Sequence, residues 1–388
     1  MMKCLDKIFL RFFLLSRKYG NVYVFVLLLL FPSTIARGQE LRYIYKSGEN
    51  GYQCFRIPAI VTTTSGTLLA FAEARRNNCG DAGDIDLVLK RSFDGGKTWS
   101  AMETIWDDGA NTCGNPAPVV NSNTGAVTLL STWNLGADHE KDIIAGTSRD
   151  TRRVFVFSSA DDGSSWSAPR EITKDVKKED WTWYATGPVN GIQIRKGKYK
   201  GRLVIPCDHI EAASKKYFSH SIYSDDGGST WVLGGTTPED MVNECTVAEL
   251  PNGNLMLNMR NYGPTRHRKV SISKNGGESW SAPKTDTELT EPVCQGSLLW
   301  YAHPGKKSFL AFSNPANAAS RVAMTVKISY SKGKSWKLKK LLHAGPSAYS
   351  NLVQLPNGNL GCLYEAGNKN PYEGIVFEEI TLDTFEQN

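Results

Sequence analysis

Three arginines, Arg56, Arg260 and Arg321, carry the most specific chemical signal in this sequence of 388 residues. Three guanidinium groups that converge on one point form a binding site for a carboxylate, because each binds it by charge and through paired hydrogen bonds. A single arginine is usually a solvated surface residue. The prediction of a carboxylate site therefore depends on the elements that would bring all three arginines together.

A glycine turn followed by an apolar strand recurs along the chain and gives the register of these elements. In four copies a polar residue stands nine or ten positions before the glycine, and these residues are Arg56, Asn115, Glu244 and Tyr349. Each lies at the start of an apolar, strand-forming segment. If that segment is the innermost strand of its unit, the four side chains encircle one axis at the same end of the fold.

A second repeat, S-x-D-x-G-x-T-W with minor variation, follows the turns; we call it the box. Clear copies span 92–99, 159–166 and 224–231, and two degraded copies at 273–280 and 329–336 have Asn275 and Ser331 in the Asp position. Each box is typical of a hairpin in which the short side chain accepts hydrogen bonds from nearby backbone amides and glycine takes a positive φ. We expect the tryptophan to pack on the next blade or hairpin.

The turn and its strand occur six times, and a box follows each of the first five copies. Six β-units with short strands and no helical periodicity predict an all-β, six-bladed β-propeller. A β-sandwich and a β-helix are the alternatives, but neither explains units of four strands at this period. We expect a strand over 42–46 to complete the sixth blade and close the ring.

An antiparallel meander determines which other residues share one end of this fold. The start of the first strand, the end of the second and the start of the third lie at one edge of each unit. Arg75 and Arg260 end second strands, Arg321 begins a third strand, and Asp81 lies in a second-to-third loop. These residues therefore join those of the first strands at one mouth, whereas the boxes end third strands and lie on the opposite rim.

The net charge and the hydropathy of the sequence limit the possible functions and the cellular location of the protein. Six of the 45 basic and one of the 39 acidic side chains fall in residues 1–38, so the remainder is nearly neutral and has no nucleic-acid footprint. Residues 1–38 place a basic stretch before the apolar run 22–31, which is typical of a signal peptide. We expect entry into the secretory pathway and secretion, with lysosomal delivery or an uncleaved membrane anchor as alternatives, and a propeller over 39–388.

Cysteine usage gives a weaker indication. Seven cysteines follow residue 38, an odd number without C-x-x-C spacing, so a metal site is not expected. The secretory pathway permits disulfides. Cys54 with Cys79 is one possible disulfide, and at least one thiol is free or pairs between chains.

Several motifs together make this sequence resemble the exo-α-sialidases (neuraminidases) of the bacterial and animal type. The motifs are F-R-I-P at 55–58, the repeated Asp boxes, E-A-R at 73–75, Asn243-Glu244 ahead of Arg260, and Tyr349-Ser350 near the C-terminus. The resemblance covers about residues 43–382. F-R-I-P together with several boxes is a specific combination, whereas a single box also occurs in unrelated propellers.

The resemblance implies how the mouth would bind its ligand. Arg56, Arg260 and Arg321 would hold the carboxylate of sialic acid. Arg75 and Asn115 would contact ring hydroxyls, although many members of the family have Asp where this chain has Asn115. Other lining residues are open, with Trp133, Trp183 and Gln295 as candidates.

The resemblance also implies the catalytic residues. Tyr349 would be the nucleophile and Glu244 the base that activates it. A neutral phenol suits this reaction because the anomeric carbon bears a carboxylate that would repel an anion. Asp81 would protonate the leaving oxygen and later activate water. That role requires the protonated form first, so we expect a raised pKa for Asp81, and we expect structural roles for the nearby Asp84 and Asp86.

The implied activity is the retaining hydrolysis of terminal α-linked sialic acid from glycoproteins, glycolipids and oligosaccharides, without a metal or an organic cofactor. Sialylated glycans would then be the partners of the chain, and nucleic acid would not. A trans-sialidase, which passes the sugar to another glycan, is the nearest alternative. A catalytically silent sialic-acid-binding propeller is the alternative from a different class.

Overall fold

Residues 41–387, the part of the chain that this computed structural model describes, form six antiparallel β-units arranged as the blades of a β-propeller. Pairing between neighbouring blades merges some of these units, so that the strands belong to four hydrogen-bonded sheets. The predicted fold class is confirmed. The predicted targeting segment, residues 1–38, lies outside the described residues. Within 41–387, no helix is both long and apolar enough to cross a membrane.

Strand β1, Tyr43–Lys46, comes first in the chain, and blades one to three follow it. Blade one contains β2 (Cys54–Thr62), β3 (Leu68–Arg75), β4 (Ile85–Ser92) and β5 (Glu103–Trp106). Blade two contains β6 (Thr112–Val120), β7 (Val127–Asn134), β8 (Arg153–Ser159) and β9 (Arg170–Glu171), with the short helices α1 (Glu140–Ala145) and α2 (Thr173–Val176) nearby in sequence. In blade three, β10 (Trp181–Thr186) and β11 (Ile192–Gln193) both pair with β12 (Leu203–Glu211), which is followed by β13 (Tyr217–Ser224) and β14 (Val232–Thr236).

Blades four to six continue in the same order. Blade four contains β15 (Val242–Glu249), β16 (Leu255–Asn261), β17 (His267–Ser273) and β18 (Lys284–Thr290). Blade five contains β19 (Ser297–Tyr301), β20 (Phe309–Pro315), β21 (Val322–Ser329) and the first part of β22 (Leu338–Gln354). Blade six contains the rest of β22, β23 (Leu360–Ala366) and β24 (Gly374–Ile380), and a 3-10 turn (Leu382–Thr384) and β25 (Glu386–Gln387) end the described chain.

Strand β1 closes the ring. It pairs antiparallel with β24, with Tyr43 opposite Val376 and Lys46 opposite Gly374, so the first strand of the chain is the outer strand of the last blade. The predicted closure by residues 42–46 is confirmed. Closure of this kind ties the two ends of the propeller sequence into one sheet.

The boxes form tight turns at the ends of the third strands. In the first box, Asp94 Oδ1 accepts hydrogen bonds from the backbone amides of Lys97 (3.0 Å) and Thr98 (2.9 Å). The hydrogen bond from the Thr98 hydroxyl, and then the one from the Thr98 amide, lower the pKa of Asp94 to about 2. Gly95 and Gly96 both have positive φ, at 75° and 92°, which only glycine adopts without strain.

The tryptophans of the first two boxes pack on the preceding blade around the ring, rather than on the blade that follows. The rings of Trp99 and Phe377 of blade six meet edge to face at 5.4 Å, and those of Trp166 and Phe71 of blade one at 5.8 Å. Aromatic pairs of this geometry add to the burial of apolar area. The boxes therefore join neighbouring blades on the rim opposite the predicted mouth.

Candidate active site

A cavity of about 220 Å³ lies at the end of the propeller where the third strands begin. All eight residues that the sequence predicts for the site line this cavity, and they are Arg56, Arg75, Asp81, Asn115, Glu244, Arg260, Arg321 and Tyr349. They come from blades one, two, four, five and six. The structure thus brings the predicted residues together, while their individual roles remain predictions.

The inner strand of a blade is irregular at each of the four residues that share the register. The regular pairing of each inner strand is interrupted around Arg56, Asn115, Glu244 or Tyr349. A bulge in a strand re-aims a side chain and often lies next to an active site. The apolar strands of the blades can therefore place a polar side chain in the cavity without turning their other residues away from the core.

The three arginines of the predicted carboxylate site surround the ring of Tyr349. The guanidinium carbons of Arg56 and Arg321 lie 5.1 and 5.6 Å from the ring centroid, and Arg260 Nη1 donates to Tyr349 Oη at 3.2 Å. Arg56 Nη2 and Arg260 Nε are buried and have no hydrogen-bond acceptor among the described residues. Three positive charges, two of them with unused donors, favour an anionic ligand at this point.

Tyr349 and Glu244 are in direct contact. Tyr349 Oη donates to Glu244 Oε1 at 2.5 Å, and the other carboxylate oxygen accepts from Arg260 Nη1 at 2.6 Å. Burial, and then the negative charge of Glu244, raise the pKa of Tyr349 well above its ordinary value, although the nearby arginines act in the opposite direction. The phenol is therefore neutral at rest, with its proton already directed at a carboxylate.

Asp81 is placed differently, on the loop between β3 and β4 with its side chain 58% exposed. Its Oδ1 accepts from Arg75 Nη1 at 2.7 Å and from Arg56 Nη1 at 3.3 Å. Burial raises the pKa of Asp81, but the charges of Arg75 and Arg56 outweigh that effect and hold it below the ordinary value. The expectation of a raised pKa is therefore wrong for this unliganded site, because two guanidinium groups already bind the carboxylate.

The neighbouring acids have structural roles, as expected. Asp86 accepts a hydrogen bond from Tyr52 Oη at 2.5 Å, and Asp84 forms an ion pair with Arg76 at 3.1 Å. Neither residue lines the cavity.

Asn115 belongs to a buried polar network. Its Oδ1 accepts hydrogen bonds from Thr132 Oγ1 at 3.0 Å and from Arg152 Nη2, and its backbone amide donates to Glu73 Oε1 at 2.7 Å. The side-chain oxygen is thus already engaged within the protein. Arg152 in turn lies over the ring of Trp183 at 4.1 Å.

The three other candidates for the lining of the site differ in their positions. Trp183 lines the cavity, whereas Trp133 and Gln295 do not. Trp133 Nε1 donates to Asp108 at 2.7 Å, and the buried Gln295 bonds to the backbone of Pro188 and Ser350.

Sequence reasoning missed two buried acids of the site. Glu365 is fully buried; its Oε1 accepts from Arg56 Nε at 3.1 Å and its Oε2 from the backbone amide of Tyr349 at 3.1 Å. Asp208 lines the cavity and accepts from Asn243 Nδ2 at 3.1 Å, while its Oδ2 has no partner in the described part of the chain. Both lie in largely apolar strands, and nothing in the local sequence marks either acid as part of the site.

The surroundings of Asp208 shift its pKa strongly. Burial, and then the negative charges of Glu244 and Glu140, raise the pKa of Asp208 well above its ordinary value. Arg260 and Arg152 oppose this shift without cancelling it. The raised pKa favours the neutral carboxylic acid form of Asp208.

The cysteines agree with the sequence analysis. Cys54 and Cys79 form a disulfide, as suggested, with their Cα atoms 5.2 Å apart. The other five cysteines after residue 38 are buried free thiols. Within residues 41–387, no group of three or more His, Cys, Asp or Glu side chains is placed to hold a metal ion.

Comparison with known proteins gives consistent matches over most of the chain. The family described as "BNR repeat-like domain" matches residues 66–362. An exo-alpha-sialidase of Aspergillus fumigatus is 32% identical over 366 residues, covering 86% of this chain and 85% of that protein. Sialidase-3 of Bos taurus is 30% identical, covering 84% of this chain and 89% of that protein.

Solved structures that resemble this chain include a sialidase and an intramolecular trans-sialidase. Hadza microbial sialidase Hz136 is 30% identical, with a TM-score of 0.81 over 89% of this chain and 69% of that one. The intramolecular trans-sialidase from Ruminococcus gnavus has a TM-score of 0.72 at 20% identity, covering 88% of this chain and 97% of that one. At that identity the second likeness concerns the fold alone.

Proposed function

The chain belongs to the exo-α-sialidase family, and on that premise we propose that it hydrolyses terminal α-linked sialic acid with retention of configuration through a tyrosyl-glycosyl intermediate. The observation that carries this proposal is the contact between Tyr349 Oη and Glu244 Oε1, with Arg260 bonded to both. This arrangement is an activated nucleophile: a base within hydrogen-bond reach, and a third group that orients the base.

The arginine triad would bind the substrate carboxylate. The unpartnered donors of Arg56 and Arg260 supply hydrogen bonds as well as charge. Arg321 Nη1 donates to Tyr372 Oη at 2.9 Å, which fixes its guanidinium beside the cavity. The bound carboxylate would place the adjacent anomeric carbon near Tyr349, because the three arginines surround that ring.

Attack by Tyr349 would require its proton to leave as the new bond forms. Glu244 takes this proton, and Arg260 stabilises the negative charge that develops on the phenolic oxygen. The resting phenol is neutral, so it approaches a carbon that bears a carboxylate without charge repulsion. The raised pKa of Asp208 favours its neutral form, which would limit the negative charge near Glu244.

Asp81 would act first as acid and then as base. In the unliganded site Arg56 and Arg75 favour its ionised form. A substrate carboxylate on Arg56 would compete for one of these two partners and move the pKa of Asp81 upward. Binding of substrate would then help to produce the protonated acid that cleavage requires, and activity is expected to increase toward acidic pH.

The test is an assay of the full chain and of Tyr349→Phe with a fluorogenic α-sialoside. The wild type is expected to release the fluorophore and free sialic acid, and the Phe variant to lose at least about 100-fold in kcat, because it lacks the nucleophilic oxygen. Absence of turnover by the wild type from acid to neutral pH would refute the hydrolase proposal. Near-wild-type activity of the Phe variant would refute the nucleophile alone. Adding lactose tests transfer, since a trans-sialidase would form sialyl-lactose.

We also propose that the chain passes through the secretory pathway. The Cys54–Cys79 disulfide supports this, because disulfides persist mainly in oxidising compartments. Residues 1–38 have the basic and apolar pattern of a signal peptide. Mass spectrometry of the protein purified from its natural source is expected to show a mature N-terminus near residue 38, and an intact residue 1 in a cytosolic fraction would contradict the proposal.

A further inference from the structure

The proposed acid/base differs from the rest of the catalytic set in how it is held. Tyr349 and Glu244 project from inner strands and are buried, at 6% and 9% exposure. Asp81 lies in the irregular loop 76–84, which we call the acid loop, and its side chain is 58% exposed. The position of Asp81 therefore depends on whatever anchors this loop.

The acid loop has one anchor on each side of Asp81. Two residues before it, Cys79 forms the disulfide with Cys54, the first residue of β2. Two residues after it, the backbone amide of Gly83 donates to Thr112 Oγ1 at 3.1 Å, and the Gly83 carbonyl accepts from the same hydroxyl at 3.0 Å. The disulfide is the covalent anchor of the pair.

The disulfide also connects the acid loop to the carboxylate site. Cys54 is fully buried and stands two positions before Arg56 in β2. Arg75 Nη1 completes the arrangement by donating to the carbonyls of Cys79 (2.6 Å) and Gly80 (2.9 Å). One covalent bond and one guanidinium thus tie the segment next to the proposed acid to β2 and β3, the strands that carry Arg56 and Arg75.

We propose that the Cys54–Cys79 disulfide is a positioning element for the acid/base chemistry of Asp81, an inference that rests on the proposed function. An acid must lie within hydrogen-bond reach of the leaving oxygen, and a misplacement of about 1 Å can cost about 100-fold in rate. Without the bond, the base of the loop would still be held by Arg76, whose backbone amide donates to the Asp84 carbonyl at 3.0 Å and whose side chain pairs with Asp84 at 3.1 Å. The segment next to Asp81, residues 79 and 80, would keep the hydrogen bonds from Arg75 but lose its covalent tie to β2. The nucleophile and its base, on buried strands, keep their places.

The test separates positioning of the acid from general stability by varying the leaving group. Wild type, before and after treatment with a phosphine reductant, is assayed for kcat/KM on sialyl-lactose and on a nitrophenyl α-sialoside. The sugar alkoxide needs protonation to depart and the nitrophenolate needs little. We expect reduction to lower kcat/KM about 100-fold on sialyl-lactose and less than about threefold on the aryl substrate. Equal losses on both substrates, or no loss on either, would overturn the proposal.

A double variant provides the matched control. Cys54→Ala/Cys79→Ala is expected to reproduce the activity pattern of the reduced wild type and to be insensitive to the reductant, because the other five described cysteines are already free thiols. A reductant effect that persists in the double variant would overturn the assignment to this bond. If the double variant does not fold, the reduced wild type alone tests the proposal, and its near-ultraviolet circular dichroism spectrum shows whether it is still folded.

Asp81→Ala distinguishes this inference from the proposed function. It is expected to show the largest dependence on the leaving group. If it shows none, the proposed acid role of Asp81 fails; if the wild type turns over neither substrate, the proposed hydrolase fails. If both behave as expected while reduction has no effect, only the role of the disulfide is wrong.

Discussion

Replacing Glu365 by Gln tests whether one buried acid supports both the carboxylate site and the nucleophile. Glu365 Oε1 accepts from Arg56 Nε (3.1 Å) and from the amide of Ile57 (2.9 Å), and Oε2 accepts from the amide of Tyr349 (3.1 Å). A glutamine can keep the oxygen that faces Arg56. Its amide nitrogen would then face the Tyr349 N–H, so two donors would oppose each other in a site without water access.

The magnitude follows from these contacts. The substitution removes the negative partner of a nearly buried arginine, and breaking a buried ion pair from one side costs about 3–5 kcal/mol. We expect the free energy of unfolding of Glu365→Gln to fall by about this amount in urea titrations at pH 7. We also expect kcat/KM to fall by about tenfold or more, because Arg56 and the Tyr349 backbone both lose a fixed partner.

The control is Glu49→Gln. Glu49 is 54% exposed and pairs with Lys46 at 3.2 Å on the surface. Surface pairs contribute about 0–1 kcal/mol, so this variant is expected to match wild type in stability and activity. Equal urea midpoints and equal kcat/KM for wild type and Glu365→Gln would refute the reasoning.

Three further predictions concern other parts of the molecule. The wild type is expected to lose stability as pH rises above about 4, because the Asp208 carboxyl then ionises in the unfolded chain but not in the folded one. Asp208→Asn is expected to remove this loss. Urea unfolding at pH 4.5 and 7.5 checks the prediction, and identical pH dependence of the two proteins would contradict it. Asp94→Ala is expected to lower Tm without changing kcat/KM. Asp94→Asn is expected to keep the wild-type Tm, since Asn275 makes the equivalent contacts in the fourth box. A lower kcat/KM of Asp94→Ala would indicate that the box takes part in the site. Arg321→Lys is expected to raise KM by about 10- to 100-fold, from the loss of about 1.5–3 kcal/mol in charged hydrogen bonds, and an unchanged KM would remove Arg321 from the carboxylate site.

The repeats were sufficient to predict the fold and much of the mouth. A box marks the end of a third strand, and the glycine turn marks the end of a first strand. Once the strands are counted, antiparallel pairing fixes which residues share an end of the propeller. For this reason Arg56, Asn115, Glu244 and Tyr349 could be placed in one cavity although nearly 300 residues separate the first from the last.

The same reasoning could not find Glu365 or Asp208. Each lies in a largely apolar strand, and its importance comes from contacts with residues far away in sequence. Glu365 lies 309 positions from Arg56, with which it shares a hydrogen bond. Such a contact exists only because the ring closes and brings blade six beside blade one.

The sequence by itself determined the number of blades, their register and the end at which the polar residues gather, because these depend on local turns and on the period of the strands. Only the tertiary structure decided in which direction the pKa values of the cavity acids shift. The pKa of Asp81 is lowered because Arg75 and Arg56 meet its carboxylate, and that of Asp208 is raised by burial and by nearby acids. A pKa depends on burial and on distances of a few ångströms between charges on different elements, and residue spacing along the chain does not contain those distances.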